Sequence, residues 1–142
     1  HGALESLKAA EFLSHHGIEA EVVDMLTLSP MDFETLKTSV KKTRRLLVVD
    51  ESWRHGGLAG EVIASVAEDL SIDLLARPQR LTNPHFPSPS TYALAKYYYV
   101  TVSQIFEKVC KIVGSKASTD EVMTYERART ADVPDAQFKG PF

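Results

Sequence analysis

"RRLLVVDESWRHGGLAGEV" occupies residues 44–62, and its reading decides the fold. Four apolar residues in a row, Leu46–Val49, end in two acids, Asp50 and Glu51. So short and unbroken a run, flanked by helical patterns, reads as a strand over 45–51 covered on both faces; a strand with one wet face would alternate apolar with polar. Beyond it lie Trp53, Arg54 and His55, the pair Gly56–Gly57, and then Ala59, Val62, Ile63, Val66, Ala67 and Leu70 at the spacing of one helix face. Strand, loop and helix therefore meet here. In open α/β sheets ligands bind beyond the carboxyl ends of the strands, so this loop is the first place to look for function.

The same alternation continues outward. Upstream, Ala3, Leu7, Ala10 and Leu13 mark a helix over 3–15, with Gly17 as its C-cap. "EAEVVDML" (19–26) reads as a Val-rich strand. "SPMD" (29–32) predicts a helix start capped by Ser29, with Pro30 in the first turn and Asp32 behind it, leading into a helix over 31–42 along Phe33, Leu36 and Val40. Downstream, "DLLARPQRLT" (73–82) reads as a weaker strand near an edge, because Pro78 interrupts it. A Pro-rich connection (83–90) leads to a short helix within 91–99. Thr101 then caps a last helix whose face is Val102, Ile105, Phe106, Val109 and Val113.

The order α-β-α-β-α-β-α predicts an α/β fold: a three-layer, open, mostly parallel sheet with helices on both faces. The pattern opens on the second element of a strand–helix unit, so a first strand outside these residues is expected. Residues 1–113 are read as one α/β domain. Residues 114–142 are polar and poor in large aliphatics, and are read as a tail or docking arm.

A chain of 142 residues suits one domain and buries a real core. The net charge of −3 gives no nucleic-acid footprint, and no apolar run approaches a membrane span. No secretory signal is visible, and the single Cys110 rules out an internal disulfide framework, which points to a reducing cytoplasmic setting.

The loop offers two readings. Glu51, Trp53, Arg54, His55, Gly56 and Gly57 can form an anion site at a helix N-terminus, or a contact loop. Neither nucleotide-binding glycine fingerprint is met, and paired glycines before a helix also serve as plain turn chemistry. An acidic phosphoacceptor pocket fails on position, because Asp24 lies inside its strand and the last strand offers Arg77 and Arg80 instead of a Lys. The five histidines are scattered, with no HxxxH, HExxH or CxxC, so no metal site is expected. Cys110, close to the apolar face of its helix, reads as a buried structural thiol. Trp53, Phe86, Tyr97, Tyr98 and Tyr99 are candidate interface aromatics, with Arg54 alongside; the tyrosines can equally cover the end of their own sheet. No self-sufficient active site is expected, and no catalytic residue is assigned.

Three stretches, in order, resemble the C-terminal domain of the transketolase-like, thiamine-diphosphate-dependent enzymes. They are "EAEVVDMLTLSPMDFETLKTSVKKTRRLLVVDE", "ESWRHGGLAGEVIASVAE" and "ARPQRLTNPHFPSPSTYALAKYYYVTVSQIFEKV". The third is closest to the beta subunit of 2-oxoacid dehydrogenases. The resemblance covers about residues 3–113 and departs from the family pattern at Met25, at Asn83-Pro84-His85 and after Lys116. It implies a subunit-association domain of a 2-oxoacid dehydrogenase beta chain, without catalytic residues, cofactor or metal of its own. Thiamine diphosphate and Mg²⁺ would be held by other domains of the parent enzyme. The implied partners are a second copy, the alpha chain of a heterotetramer, and the acyltransferase core, in the cytoplasm or the mitochondrial matrix. The alternatives left open are a free-standing oligomerisation module, or the corresponding domain of a transketolase or deoxyxylulose-phosphate synthase.

Overall fold

The run Leu46–Val49 does form the centre of the molecule. The structure, a computed structural model, describes residues 1–129. Its elements are α1 (Gly2–His15), α2 (Phe33–Thr43), β1 (Leu47–Trp53), α3 (Leu58–Ala67), β2 (Gln79–Asn83), α4 (Tyr92–Ala95), α5 (Val102–Val113) and α6 (Asp120–Arg127). β1 and β2 pair in parallel, with Leu47 opposite Gln79 and Asp50 opposite Thr82.

Strand periodicity builds the three layers. Side chains alternate across a strand, so Leu47 and Val49 turn to one face and Val48 to the other. On the first face they meet Ala9, Phe12 and Leu13 of α1 and Val102, Ile105, Phe106 and Cys110 of α5. On the second, Val48 meets Leu36 and Val40 of α2 and Val62 and Val66 of α3. Phe106 and Leu13 are among the largest fully buried side chains, each contributing about 1.5–3 kcal/mol by burial.

Helix ends follow local chemistry. Gly17 has φ 72°, and behind it the Ile18 N–H reaches Leu13 C=O at 3.0 Å, closing α1. Thr101 caps α5 in a capping box with Gln104, and Gly114, φ 75°, ends it. α2 begins later than "SPMD" suggests. Its cap is Asp32, which accepts from the Thr35 N–H at 3.0 Å, and not Ser29. A turn in which the Thr27 hydroxyl donates to Pro30 C=O holds Ser29 and Pro30 outside the helix.

Four expectations need correction. Among the described residues, 19–26 pair with no strand; a cavity separates them from β1. The strand expected over 73–82 forms only from Gln79, since Pro78 has no N–H to give a ladder. The helix expected within 91–99 is the single turn of α4, and Tyr97–Tyr99 follow it. Leu70 does not share the α3 face. The helix stops at Ala67, the Asp69 carboxylate takes the Ser71 N–H at 3.0 Å to turn the chain, and Leu70 stands in solvent. Ile63 is half-buried against the second cluster, while Ala59 and Val66 are buried as expected.

Part of the stretch read as tail or docking arm is α6, which packs on its own domain. Val122 is fully buried against the first cluster. The Glu126 carboxylate accepts from the Ser103 N–H at 2.6 Å and its hydroxyl at 2.9 Å, closing the N-terminus of α5. The end of that stretch, 130–142, lies outside the described residues.

Candidate functional site

The carboxyl edge of the sheet is shaped by one side chain, Asp50. β1 is irregular beyond it: Asp50 pairs with Thr82, but Trp53 is the residue that pairs with Asn83, so Glu51 and Ser52 bulge out. The Asp50 carboxylate holds the bulge by accepting from the Ser52 N–H at 2.8 Å, and its other oxygen accepts from the Ala59 N–H at 2.8 Å, on the first turn of α3. The α3 N-terminus is thus served by a carboxylate of the chain itself, where a bound anion would otherwise sit. Burial opposes ionisation of Asp50. Hydrogen bonds from Ser52 and Ala59, with the positive Arg80 nearby, outweigh it and lower its pKa. Asn83, buried, ties the edge from the other strand, its Nδ2 donating to Glu51 C=O at 2.7 Å.

The glycines are set by this geometry. Gly56 has φ 78°, which favours a residue without Cβ. A Cβ on Gly57 would overlap Ser52 Oγ and lie 2.5 Å from Trp53 O, so the loop closes only over a hydrogen atom. Arg54 is exposed. Glu51, also exposed, faces His1 at 4.0 Å.

The loop aromatics do not stand alone. Trp53 meets His85 edge-on at 4.8 Å between ring centroids, and His55 meets the same ring at 5.7 Å. Phe86, the next residue in the chain, lies 5.5 Å from Tyr98; Tyr98 lies 5.2 Å from Tyr99; and Tyr99 lies 5.9 Å from His1. Two groups of rings, joined only by the chain from His85 to Phe86, form an arc along the carboxyl edge. Trp53 and Phe86 present it to solvent, at 42% and 46% exposure, while Tyr97, outside the arc, is 68% exposed. Tyr98 is buried beneath, and Tyr99 is half-buried with its hydroxyl 3.3 Å from Ser88 Oγ.

The structure brings Trp53 and His55 together with His85, and Phe86 with Tyr98 and Tyr99; it leaves Arg54 and Tyr97 outside these ring contacts. Sequence reasoning missed three residues. His85 gathers the Trp53 and His55 rings, Asp50 seats the helix, and Asn83 pins the bulge. The Pro84-His85-Phe86 step beside a strand end was the available sign for the first, and Asp50 two residues before Ser52 for the second; Asn83 acts across the fold and leaves no local spacing. Among the described residues no group of three or more His, Cys, Asp or Glu is placed to hold a metal ion. Nor is any helix among them long and apolar enough to cross a membrane. Burial raises the pKa of the Cys110 thiol, as suits a packing residue.

Comparison with known proteins agrees with this architecture. The family model "Transketolase, C-terminal domain" matches residues 3–105. The chain is 40% identical over 113 residues to the acetoin:2,6-dichlorophenolindophenol oxidoreductase subunit beta of Bacillus subtilis (strain 168), an alignment spanning 79% of this chain and 33% of that protein. It is 39% identical over 84 residues to the mitochondrial pyruvate dehydrogenase E1 component subunit beta of Homo sapiens, spanning 58% and 23%. A solved structure described as split gene transketolase, inactive beta4 tetramer, superposes with a TM-score of 0.62 at 29% identity, covering 81% of this chain and 36% of that one. The chain thus spans about a third of the length of the first curated relatives it matches. With a two-stranded parallel core between α1/α5 and α2/α3, and a family match over most of its length, this chain belongs to the transketolase C-terminal domain family.

Proposed function

We propose that this domain is the subunit-association domain of a thiamine-diphosphate-dependent 2-oxoacid dehydrogenase beta chain, serving oxidative decarboxylation without catalytic groups of its own. The observation that carries the reading is the aromatic arc at the carboxyl edge. Trp53 and Phe86 stand half-exposed on a scaffold of Tyr98, Tyr99 and His85. Rigid aromatics backed by packed rings are the usual anchors of protein interfaces, and single-chain stability alone gives no reason to leave them in water. The similarity to beta subunits of pyruvate dehydrogenase and of the acetoin oxidoreductase favours this branch over transketolase proper.

The residues at this edge do not fit a diphosphate–Mg²⁺ group. The Asp50 carboxylate already sits at the α3 N-terminus and would repel a phosphate there. The cofactor is accordingly assigned to other domains of the parent enzyme. The partner is a second copy of the chain, in keeping with the β4 assembly of the split-gene transketolase, with the alpha chain of a heterotetramer and the acyltransferase core as further partners.

Sedimentation across a concentration series tests the reading. A dimer is expected, and Trp53→Ala should weaken it by about thirtyfold, the equivalent of ~2 kcal/mol for a central aromatic anchor. Tyr97→Ala, off the ring arc, should change it little. A chain that stays monomeric at high micromolar concentration, with or without the alpha chain present, would refute the association role.

A further inference from the structure

Trp53 rests on a pair of imidazoles. The His85 ring meets it at 4.8 Å, and the His55 ring meets His85 at 5.7 Å with the two planes at 89°. Both histidines are exposed, and among the described residues neither has a hydrogen bond or an ion-pair partner. The other histidines differ. His1 stands 4.0 Å from both Glu5 and Glu51, His15 lies 3.2 Å from Glu121, and His16 packs on the Phe106 ring.

The charged groups around the pair do not offset it. On the loop itself Arg54 is positive, and Glu51 faces His1. The Asp50 carboxylate is taken up by the Ser52 and Ala59 N–H groups, with Arg80 of β2 nearby. Glu61, in the first turn of α3, forms no ion pair with either ring. The segment 84–91 carries no charged or titratable side chain besides His85. Lys96, at the end of α4, lies over the Tyr97 ring at 4.9 Å and is a further positive charge. Histidine is the side chain whose charge changes between pH 5 and 8. Protonation would therefore place two imidazolium groups beside Arg54 with no counter-charge between them.

Covering a neutral imidazole costs little, whereas covering an unpaired imidazolium is expensive. His85 packs on Trp53, so its charge would lie against the side chain that a partner covers. A second copy meeting this edge across a two-fold axis brings the same patch, and like charge then faces like charge. We propose that association of two copies through the carboxyl edge is gated by protons at His55 and His85: neutral imidazoles let the edges meet, and protonated ones hold them apart. The gate rests on the association proposed above and adds its regulation. The scaffold beneath it stays closed, because the lowered pKa of Asp50 keeps that carboxylate ionised through the histidine range and the bulge in place.

Sedimentation over a concentration series gives the dimer dissociation constant at about pH 7.5 and about pH 5.5, on either side of the histidine range. For the chain as it stands the constant should rise at least about tenfold in acid, because like charges are brought together at the contact. In the double variant His55→Gln/His85→Gln, whose amides are uncharged at both values, the change should shrink to about twofold or less. At the lower pH, raising the salt to about 0.5 M should recover part of the affinity of the unaltered chain, because it screens repulsion. A dimer equally tight at both pH values leaves the association standing and overturns the gate. So does a pH dependence that survives the double substitution, or a loss in acid that salt does not relieve. If the double variant forms no dimer at the higher pH, His55→Gln alone, which keeps the contact of His85 with Trp53, is measured instead. It should lose about half of the pH dependence, since one of the two charges is gone; a full dependence overturns the gate. A chain that is monomeric at both values refutes the association, and the gate with it.

Discussion

Asp50→Ala tests whether one carboxylate organises the carboxyl edge. The side chain accepts two backbone N–H groups, from Ser52 and Ala59, each at 2.8 Å. Loss of a helix cap costs about 0.5–2 kcal/mol, and a hydrogen bond to a charged group about 1.5–3 kcal/mol. Asp50 is partly solvated, so screening and replacement water place the sum near ~2 kcal/mol. With an unfolding entropy of about 2.1 cal/mol/K per residue, a chain of this length should lose roughly 6 °C in Tm. Asp50→Asn keeps one acceptor oxygen and should lose about half as much. The effect also has a pH signature. The folded pKa of Asp50 is depressed below its usual 3.8, so its contribution is fully present above that value and is lost as pH falls through the lower folded pKa. Urea melts of the two proteins should differ at pH 7 and converge as the pH drops below about 3.8. A difference under ~0.5 kcal/mol at pH 7, or one that persists unchanged in acid, would refute the assignment.

Two further substitutions probe the scaffold. Gly57→Ala places a methyl group on Ser52 Oγ and Trp53 O, and should destabilise by about 1–3 kcal/mol in urea unfolding while shifting the fluorescence of Trp53. Val122→Ala empties a fully buried site beside Phe12 and should cost about 2 kcal/mol, measured in the same way; a neutral result would mean that α6 does not hold its place in solution.

How much was legible depended on how local each cause was. β1 announced itself because a four-residue apolar run needs cover on both faces, and its neighbours Leu36, Val62 and Phe106 provide it from α2, α3 and α5. α5 was equally plain, since Thr101 and Gln104 cap it within one turn. Val22 and Val23 have the right side chains for a strand, but pairing is a property of two segments, and no backbone partner meets them among the described residues. Leu70 kept the helical spacing past the point where Asp69 and Ser71 turn the chain, so periodicity overran a local stop signal. α6 was hidden by its polar composition. It is held by one buried aliphatic, Val122, and by Glu126 reaching the start of α5, a contact with no trace in local spacing. The aromatic residues of the site were visible singly. Their arrangement was not, because His85 links them only once β1 and β2 lie side by side.

The placement of α6 also narrows where a partner can bind. On the α1/α5 layer, Val122 and Tyr125 cover the first core cluster, and Arg129 closes on the buried Glu5 at 3.0 Å. Removing that acid would leave a charge to be rehydrated, so this face is held by polar as well as apolar contacts. The outer face of α2 is lysine-bearing: Lys42 pairs with Glu21 at 2.8 Å and Lys37 with Asp69 at 3.5 Å. Lysines on flexible stems are depleted from interface cores because ordering and desolvating them costs more than the contact returns. The free edge of β1 lies in a recess between apolar walls, out of reach of a globular surface. The carboxyl edge differs from all three. Its Trp53 and Phe86 are held by ring contacts at 4.8 and 5.5 Å, so little side-chain entropy remains to be lost when a partner covers them. The carboxyl edge and the cavity beside β1 are therefore different surfaces, and the Asp50 bulge lies between them, lining the cavity on one side and carrying Trp53 on the other.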